Sequence, residues 1–138
     1  MTEKEKRDAG FIYDANYDEA LLKELVRTQD ACFEYNSMAP GDPGRDACIR
    51  KILGKAGENI TIRSPFYCDY GYNIEIGDNF FSNFNVTILD GARITFGDNV
   101  FIAPNCGFYT AGHPIDFPRR NAGLEYAWPI KVGDNVWF

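Results

Sequence analysis

Histidine is almost absent from these 138 residues: His113 is the only one. A metal site built on several imidazoles is thereby excluded. Cysteine is sparse. Cys32, Cys48, Cys68 and Cys106 contain no C-x-x-C pair. They read as four reduced, mostly buried thiols with no disulfide or metal role. Basic charge is in deficit, with 14 Lys and Arg against 20 Asp and Glu and a formal charge of −6. That balance argues against nucleic acid or an anionic membrane as the main partner. No apolar run approaches the ~20 residues that a spanning helix needs. The first nine residues are mostly charged, unlike a secretory leader. A cytoplasmic protein of one domain, or a domain plus a small cap, is the default.

What the chain has is a repeated phrase. It reads N-I-E-I-G-D-N-F-F at 73–81, R-I-T-F-G-D-N-V-F at 93–101 and P-I-K-V-G-D-N-V-W at 129–137. The glycines Gly77, Gly97 and Gly133 are offset by 20 and 36 residues. Inside the phrases a period of six runs through Ile74, Phe80 and Val86, then Ile94, Val100 and Cys106. A second register carries Ile88, then Phe96, Ile102 and Phe108, then Val132 and Phe138, and Ser82 breaks it. A period of six suits a short strand and a tight turn, repeated. Three such units close a triangular coil of about eighteen residues that buries its core only against its neighbours. On that arithmetic the 36-residue offset is two coils and the 20-residue offset one coil plus two. The Gly-Asp-Asn triplets at 77–79, 97–99 and 133–135, with Asn85 and Asn105, fit the corners, where left-handed or turn geometry is needed.

The first 57 residues have a different period. Residues 3–9 form a short polar helix ending at Gly10, and Phe11 to Asp14 follow as a loop. Asn16 is placed as an N-cap, with Glu19 as its capping-box partner. The helix it starts runs to about Tyr35 with one apolar stripe of Leu21, Leu22, Leu25, Val26, Cys32 and Phe33. Asp42 is placed as the cap of a second helix, with Pro43 in its first turn, an apolar face of Ile49, Ile52 and Leu53, and Gly54 as its stop. The boundary falls near Gly57. Residues 1–57 are therefore read as a small helical domain and 58–138 as the coil. The aromatics of 65–72 either close the bottom of the coil or pack on a sugar ring. Between Ala111 and Trp128 the six-residue period fails, so a protruding polar loop leaves the coil there.

The segments S-N-F-N-V-T-I-L-D at 82–90, I-A-P-N at 102–105 and Y-T-A-G-H-P-I-D at 109–116 resemble the maltose and galactoside O-acetyltransferases. The likeness runs from about Glu3 to Phe138. It implies a mainly β fold, a left-handed parallel β-helix of hexapeptide repeats behind a small N-terminal helical domain. It implies transfer of an acetyl group from acetyl-CoA to a hydroxyl of a small sugar of the maltose, glucose or galactoside type. The resemblance makes His113 the general base and Asn83 the amide that serves the acceptor hydroxyl or the oxyanion. It places Asp14, Asp69, Phe81, Asn83 and Asp90 at the acceptor pocket. Glu125 is a candidate to orient the imidazole through its second nitrogen, although the galactoside enzymes differ near this position. Taken alone, Asn83 also fits a coil corner and Asp90 a turn. The resemblance further implies a homotrimer with sites between subunits, and no metal. Family members continue for several coils, so the coenzyme's contacts are expected mostly beyond Phe138. Two alternatives stay open: another small acceptor (an amine, an antibiotic or serine), or an inactive remnant without the coils that bind coenzyme A. The zinc hydratases of the same scaffold need three histidines and are excluded.

Overall fold

The computed structural model describes residues 1–138. The chain runs α1 (Glu3–Asp8), β1 (Tyr13–Asp14), α2 (Glu19–Ser37) and α3 (Arg45–Ile52), then β2 (Lys55–Ala56), β3 (Thr61–Ile62), β4 (Phe66–Cys68), β5 (Ile74–Ile76), β6 (Phe81–Ser82) and β7 (Val86–Leu89). It continues through β8 (Ile94–Phe96), β9 (Phe101–Ile102), β10 (Gly107–Tyr109), β11 (Ala111–Gly112), α4 (Phe117–Asn121), β12 (Leu124–Ala127) and β13 (Ile130–Val132). Three parallel ladders form the faces of a prism, in the orders β2-β5-β8-β13, β3-β6-β9 and β4-β7-β10. From β2 to β10 the partners within a ladder lie 20 residues apart, as in Ile74↔Ile94, Phe81↔Phe101 and Phe66↔Val86.

The inward register explains that number. Ile74, Phe80, Val86, Ile94 and Val100 are all buried, with Phe66, Ile76, Ile88, Phe96, Ile102 and Phe108 beside them. Ser82, where the second register breaks, still points inward and is buried. Two corners of each coil keep the six-residue spacing, but Val86 to Ile94 spans eight. The third corner therefore holds two extra residues. The 36-residue offset is likewise a single coil: β13 pairs directly with β8, Ile130 opposite Ile94. The two-coil reading of that offset is corrected. The whole excursion at 111–128 is an insert at the same third corner.

Corner chemistry holds the coils in register. Asn59, Asn79, Asn99 and Asn135 all have φ between 55° and 58°, and Asn85 and Asn105 have φ of 60° and 62°. Asparagine tolerates this left-handed geometry better than most residues. Four of the side-chain amides also reach the next coil: Asn59 donates to Asn79, Asn79 to Asn99, Asn85 to Asn105 and Asn99 to Asn135, at 2.9, 3.1, 2.8 and 3.3 Å. The aspartates beside them accept from the corner below, as Asp98 Oδ1 does from Asp78 N–H at 2.8 Å. Glycine at 77 is required by that contact, since a Cβ there would lie 2.3 Å from Asp98 Oδ1 and 2.6 Å from the Gly97 carbonyl.

The helices close the first coil rather than standing apart. Cys32, Tyr35, Ile49, Ile52 and Leu53 share one 18-residue core with the inward strand residues. The coil itself begins at β2, whose Ala56 pairs with Ile76. The N-cap of α2 is Asp18, which accepts from Leu21 N–H, and not Asn16. Its buried positions are Leu21, Thr28, Cys32 and Tyr35, while Leu22, Val26 and Phe33 face outward. Residue 44 caps α3, and Asp42 instead braces the turn ahead of it by accepting from Gly44 N–H. Tyr13 and Asp14, read as loop, form strand β1. No helix is long and apolar enough to cross a membrane.

Candidate active site

The third corner recurs in three stacked coils, at 69–73, 90–93 and 110–129. In the middle one, Asp90 is fully buried. Its Oδ1 accepts from the backbone N–H groups of Asp69 at 3.1 Å and Tyr70 at 2.9 Å, and its Oδ2 from that of Asn73 at 3.2 Å. The Asp90 carbonyl accepts from Asn73 Nδ2. One coil higher, Thr110 Oγ1 donates to the Leu89 carbonyl and accepts from Ala92 N–H. Asp90 and Thr110 thus shape the two wider corners on which the insert stands.

The insert is a small antiparallel ribbon, β1-β12-β11. Gly112 pairs with Tyr126, and on the other edge Tyr13 pairs with Glu125 and Asp14 with Leu124. Tyr13, Ala15, Leu21, Tyr70 and Ala127 form a second core beneath it. His113 directly follows β11. Its imidazole is half exposed, with Nδ1 3.3 Å from the Leu124 carbonyl and Nε2 3.7 Å from Glu125 Oε1. A carbonyl only accepts, so the first contact is a hydrogen bond when Nδ1 carries the proton. That tautomer leaves Nε2 without a hydrogen, its lone pair on the side of the ring nearest Glu125. Glu125 is only 18% exposed at its side chain and is steadied by Asn16 Nδ2 at 3.4 Å. Asn16 also donates to the Gly123 carbonyl at 2.7 Å.

Two more carboxylates lie close by. Asp14 Oδ1 accepts from Tyr17 N–H, and Asp14 N–H donates to Glu3 Oε2. The Asp69 carboxyl accepts no hydrogen bond within the chain. Burial, helped by the nearby charges of Asp90 and Glu125, pushes its pKa up to about 6. Burial also raises the Asp90 carboxyl, against the pull of its backbone donors.

The structure therefore gathers His113, Glu125, Asp14 and Asp69 at one corner. Asp90 stands behind them, fully buried and bonded to the backbone of the corner below. Asn83 and Phe81 lie elsewhere. Asn83 sits at the corner between β6 and β7, where its Oδ1 accepts from Phe84 N–H and its backbone N–H donates to Ile102. Phe81 faces outward on β6, edge-on to Phe101 and under the Arg63 guanidinium. No hydrogen bond or ion pair joins either residue to His113 within one chain. The sequence reading missed the Leu124 carbonyl, which has no side-chain signal, and gave Asn16 to a helix cap.

A parallel β-helix closed by helices, with a lone histidine held on a corner insert, defines the hexapeptide-repeat acetyltransferase class. Residues 6–57 match the family model "Maltose acetyltransferase hexapeptide capping motif". A maltose O-acetyltransferase from Clostridium difficile superposes with a TM-score of 0.95 at 45% identity, over 99% of this chain and 73% of that one. A galactoside acetyltransferase in complex with coenzyme A superposes with a TM-score of 0.93 at 38% identity, over 99% and 68%. A provisionally named acetyltransferase of Saccharomyces cerevisiae is 57% identical over 129 residues, 93% of this chain and 66% of the relative. The chain spans about two thirds of the length of such relatives. It belongs to the maltose and galactoside O-acetyltransferase family, and its coil is the left-handed β-helix of that family.

Proposed function

We propose that the protein transfers an acetyl group from acetyl-coenzyme A to a hydroxyl of a small sugar, with His113 Nε2 as the general base. The observation that carries this reading is the pair of contacts on the imidazole. The Leu124 carbonyl favours the tautomer with the proton on Nδ1, the only one that can donate to it, and Glu125 waits 3.7 Å from the atom that must gain charge. A sugar hydroxyl is a poor nucleophile at neutral pH. As its oxygen attacks the thioester carbonyl, Nε2 takes its proton. Glu125 then offsets the imidazolium charge, and the imidazolium returns the proton to the departing thiolate. The carboxylates of Asp14 and Asp69 supply acceptors for the other hydroxyls of a polyol. The coenzyme A and maltose named for the solved relatives agree with this chemistry.

Asn83 completes the site only through a second chain. Its Oδ1 is committed to Phe84 N–H, and its two amide hydrogens have no partner within the chain. In a closed threefold assembly the β6–β7 corner of one protomer meets the insert of the next, and those hydrogens serve the oxyanion. The test is acetylation of a panel of sugars and amino compounds, followed by coenzyme A release. His113→Ala should lower kcat by roughly 10²–10⁴-fold with the fold intact. Near-normal turnover in that variant, or activity confined to amines, would refute the reading.

A further inference from the structure

Two of the four thiols meet. Cys32 Sγ on α2 lies 3.8 Å from Cys68 Sγ at the end of β4, and both residues are buried. They are 36 residues apart in sequence, so no spacing rule pairs them. The contact is set by two segments that face each other. On α2, Thr28, Cys32 and Asn36 recur every four residues and so share one face. Opposite them lie Phe66 and Cys68 on β4 and Tyr70 in the bend that follows it. Thr28 Oγ1 donates to the Tyr70 carbonyl at 3.2 Å. At the other end Asn36 makes two bonds with Phe66, accepting from its N–H at 2.9 Å and donating to its carbonyl at 3.0 Å. The sulfurs occupy the middle rung of a ladder fixed at both ends.

A groove runs beside the pair. Cys32 and Cys68 form part of the floor of a groove of about 480 Å³ between α2 and the coil, walled by Phe33, Tyr67, Asp69 and Leu89. Cys48 and Cys106 have no such thiol neighbour.

We propose that Cys32 and Cys68 are a dithiol that closes to a disulfide by exchange with a small-molecule disulfide, stapling the helical cap to the first coil. The Cys32 thiolate attacks one sulfur of the incoming R–S–S–R, and one R–S⁻ leaves. Cys68 then loses its proton to that thiolate or to water and attacks Cys32 Sγ. The second R–S⁻ leaves and takes up a proton. Two thiols and one disulfide become one protein disulfide and two small thiols, and two electrons pass to the reagent. Cys32 is the first to ionise, because the Cys68 S–H donates to its thiolate. The hydrogen bond to Cys32, together with burial and the neighbouring charge, holds the Cys68 proton. Asp69 and Asp90 face the pair and disfavour a second negative charge. Closure needs the sulfurs to approach from 3.8 Å to about 2.05 Å.

This proposal is independent of the acetyl-transfer reading. The test treats the folded, native protein with oxidised glutathione and maps its peptides without reduction. The expected result is loss of two hydrogen atoms from the intact mass and a single Cys32–Cys68 cross-link, reversed by dithiothreitol. Closure should raise Tm by roughly 5–15 °C, since it ties a long loop. Cys32→Ser and Cys68→Ser should each abolish the cross-link, and Cys106→Ser should leave it intact. A folded protein that accumulates only mixed disulfides would overturn the proposal. So would cross-links that form only after denaturation.

Discussion

Replacing Asp90 by alanine tests whether this carboxylate is structural or part of the acceptor pocket. Its two oxygens accept three backbone N–H groups, those of Asp69, Tyr70 and Asn73. Asp90→Ala leaves all three donors unpaired in a buried corner, each at a cost of about 1–3 kcal/mol. Part of this is recovered, because the parent carboxylate is itself buried at a cost, as its raised pKa shows. The net loss should be on the order of 2–4 kcal/mol. For a domain of this size that lowers Tm by roughly 6–15 °C. Asp90→Asn keeps one acceptor oxygen for Asp69 and Tyr70 and should lose about half as much. Urea unfolding followed by circular dichroism and tryptophan fluorescence reads both variants, and the acceptor KM is measured beside them. An alanine variant within 0.5 kcal/mol of the parent, estimated against the usual ±0.5 of a featureless substitution, would refute the clamp. A raised KM with unchanged stability would place Asp90 in the pocket.

Asp69→Asn should change the pH dependence of stability. The folded state holds this proton with a pKa of about 6, above the ordinary 3.8, so the fold binds it more tightly than the unfolded chain does. Stability from neutral Asp69 is present below about pH 4 and is lost as pH rises through about 6, by up to roughly 3 kcal/mol. The asparagine variant should flatten that slope and stand about 1–3 kcal/mol above the parent at pH 7; denaturant midpoints between pH 4 and 8 check it, and a persisting slope would assign it to another group. Glu125→Gln keeps the contact with Asn16 but removes the charge facing Nε2. It should lower kcat by roughly 5–30-fold, the value of about 1–2 kcal/mol for one half-exposed ion pair in the transition state. Steady-state kinetics with KM nearly unchanged is the expected signature, and an unaltered kcat would remove Glu125 from the mechanism.

The coil was legible because a solenoid is local. Each inward residue needs only its own six-residue unit, so the register of Ile74, Phe80 and Val86, and that of Ile94 and Val100, stand in the sequence as written. The corner asparagines were legible for the same reason, since a left-handed residue is a local demand. What failed was arithmetic that depends on pairing. An offset of 36 fits two regular coils as well as one coil with an insert, and only the pairing of β13 with β8 decides. Strand β1 was read as loop because two residues carry no period, and its partner lies more than 100 residues away. The apolar stripe of α2 failed at Phe33 for another reason: that side chain walls a groove instead of entering the core. Within the site, His113 and Glu125 were visible as residue types. The Leu124 carbonyl was not, because a backbone acceptor leaves no mark in composition.

The burial of Asp90 and the position of the insert share one cause at the third corner. Two extra residues at 90–93 widen that corner relative to the other two. A wider turn leaves more backbone N–H groups without strand partners, and Asp90 is buried there because three of them need an acceptor. The same widening gives the insert at 111–128 a place to leave and rejoin the coil without disturbing the two regular faces. Ladder registers on either side support this, since β9 still pairs with β6 and β13 still pairs with β8. The insert then needs an anchor of its own. β1 supplies it by pairing with β12, which sets Asp14 and Asn16 beside the ribbon that carries His113. The imidazole is thus held by the one corner that departs from the six-residue period, where a side chain is free of the duty to fill the prism.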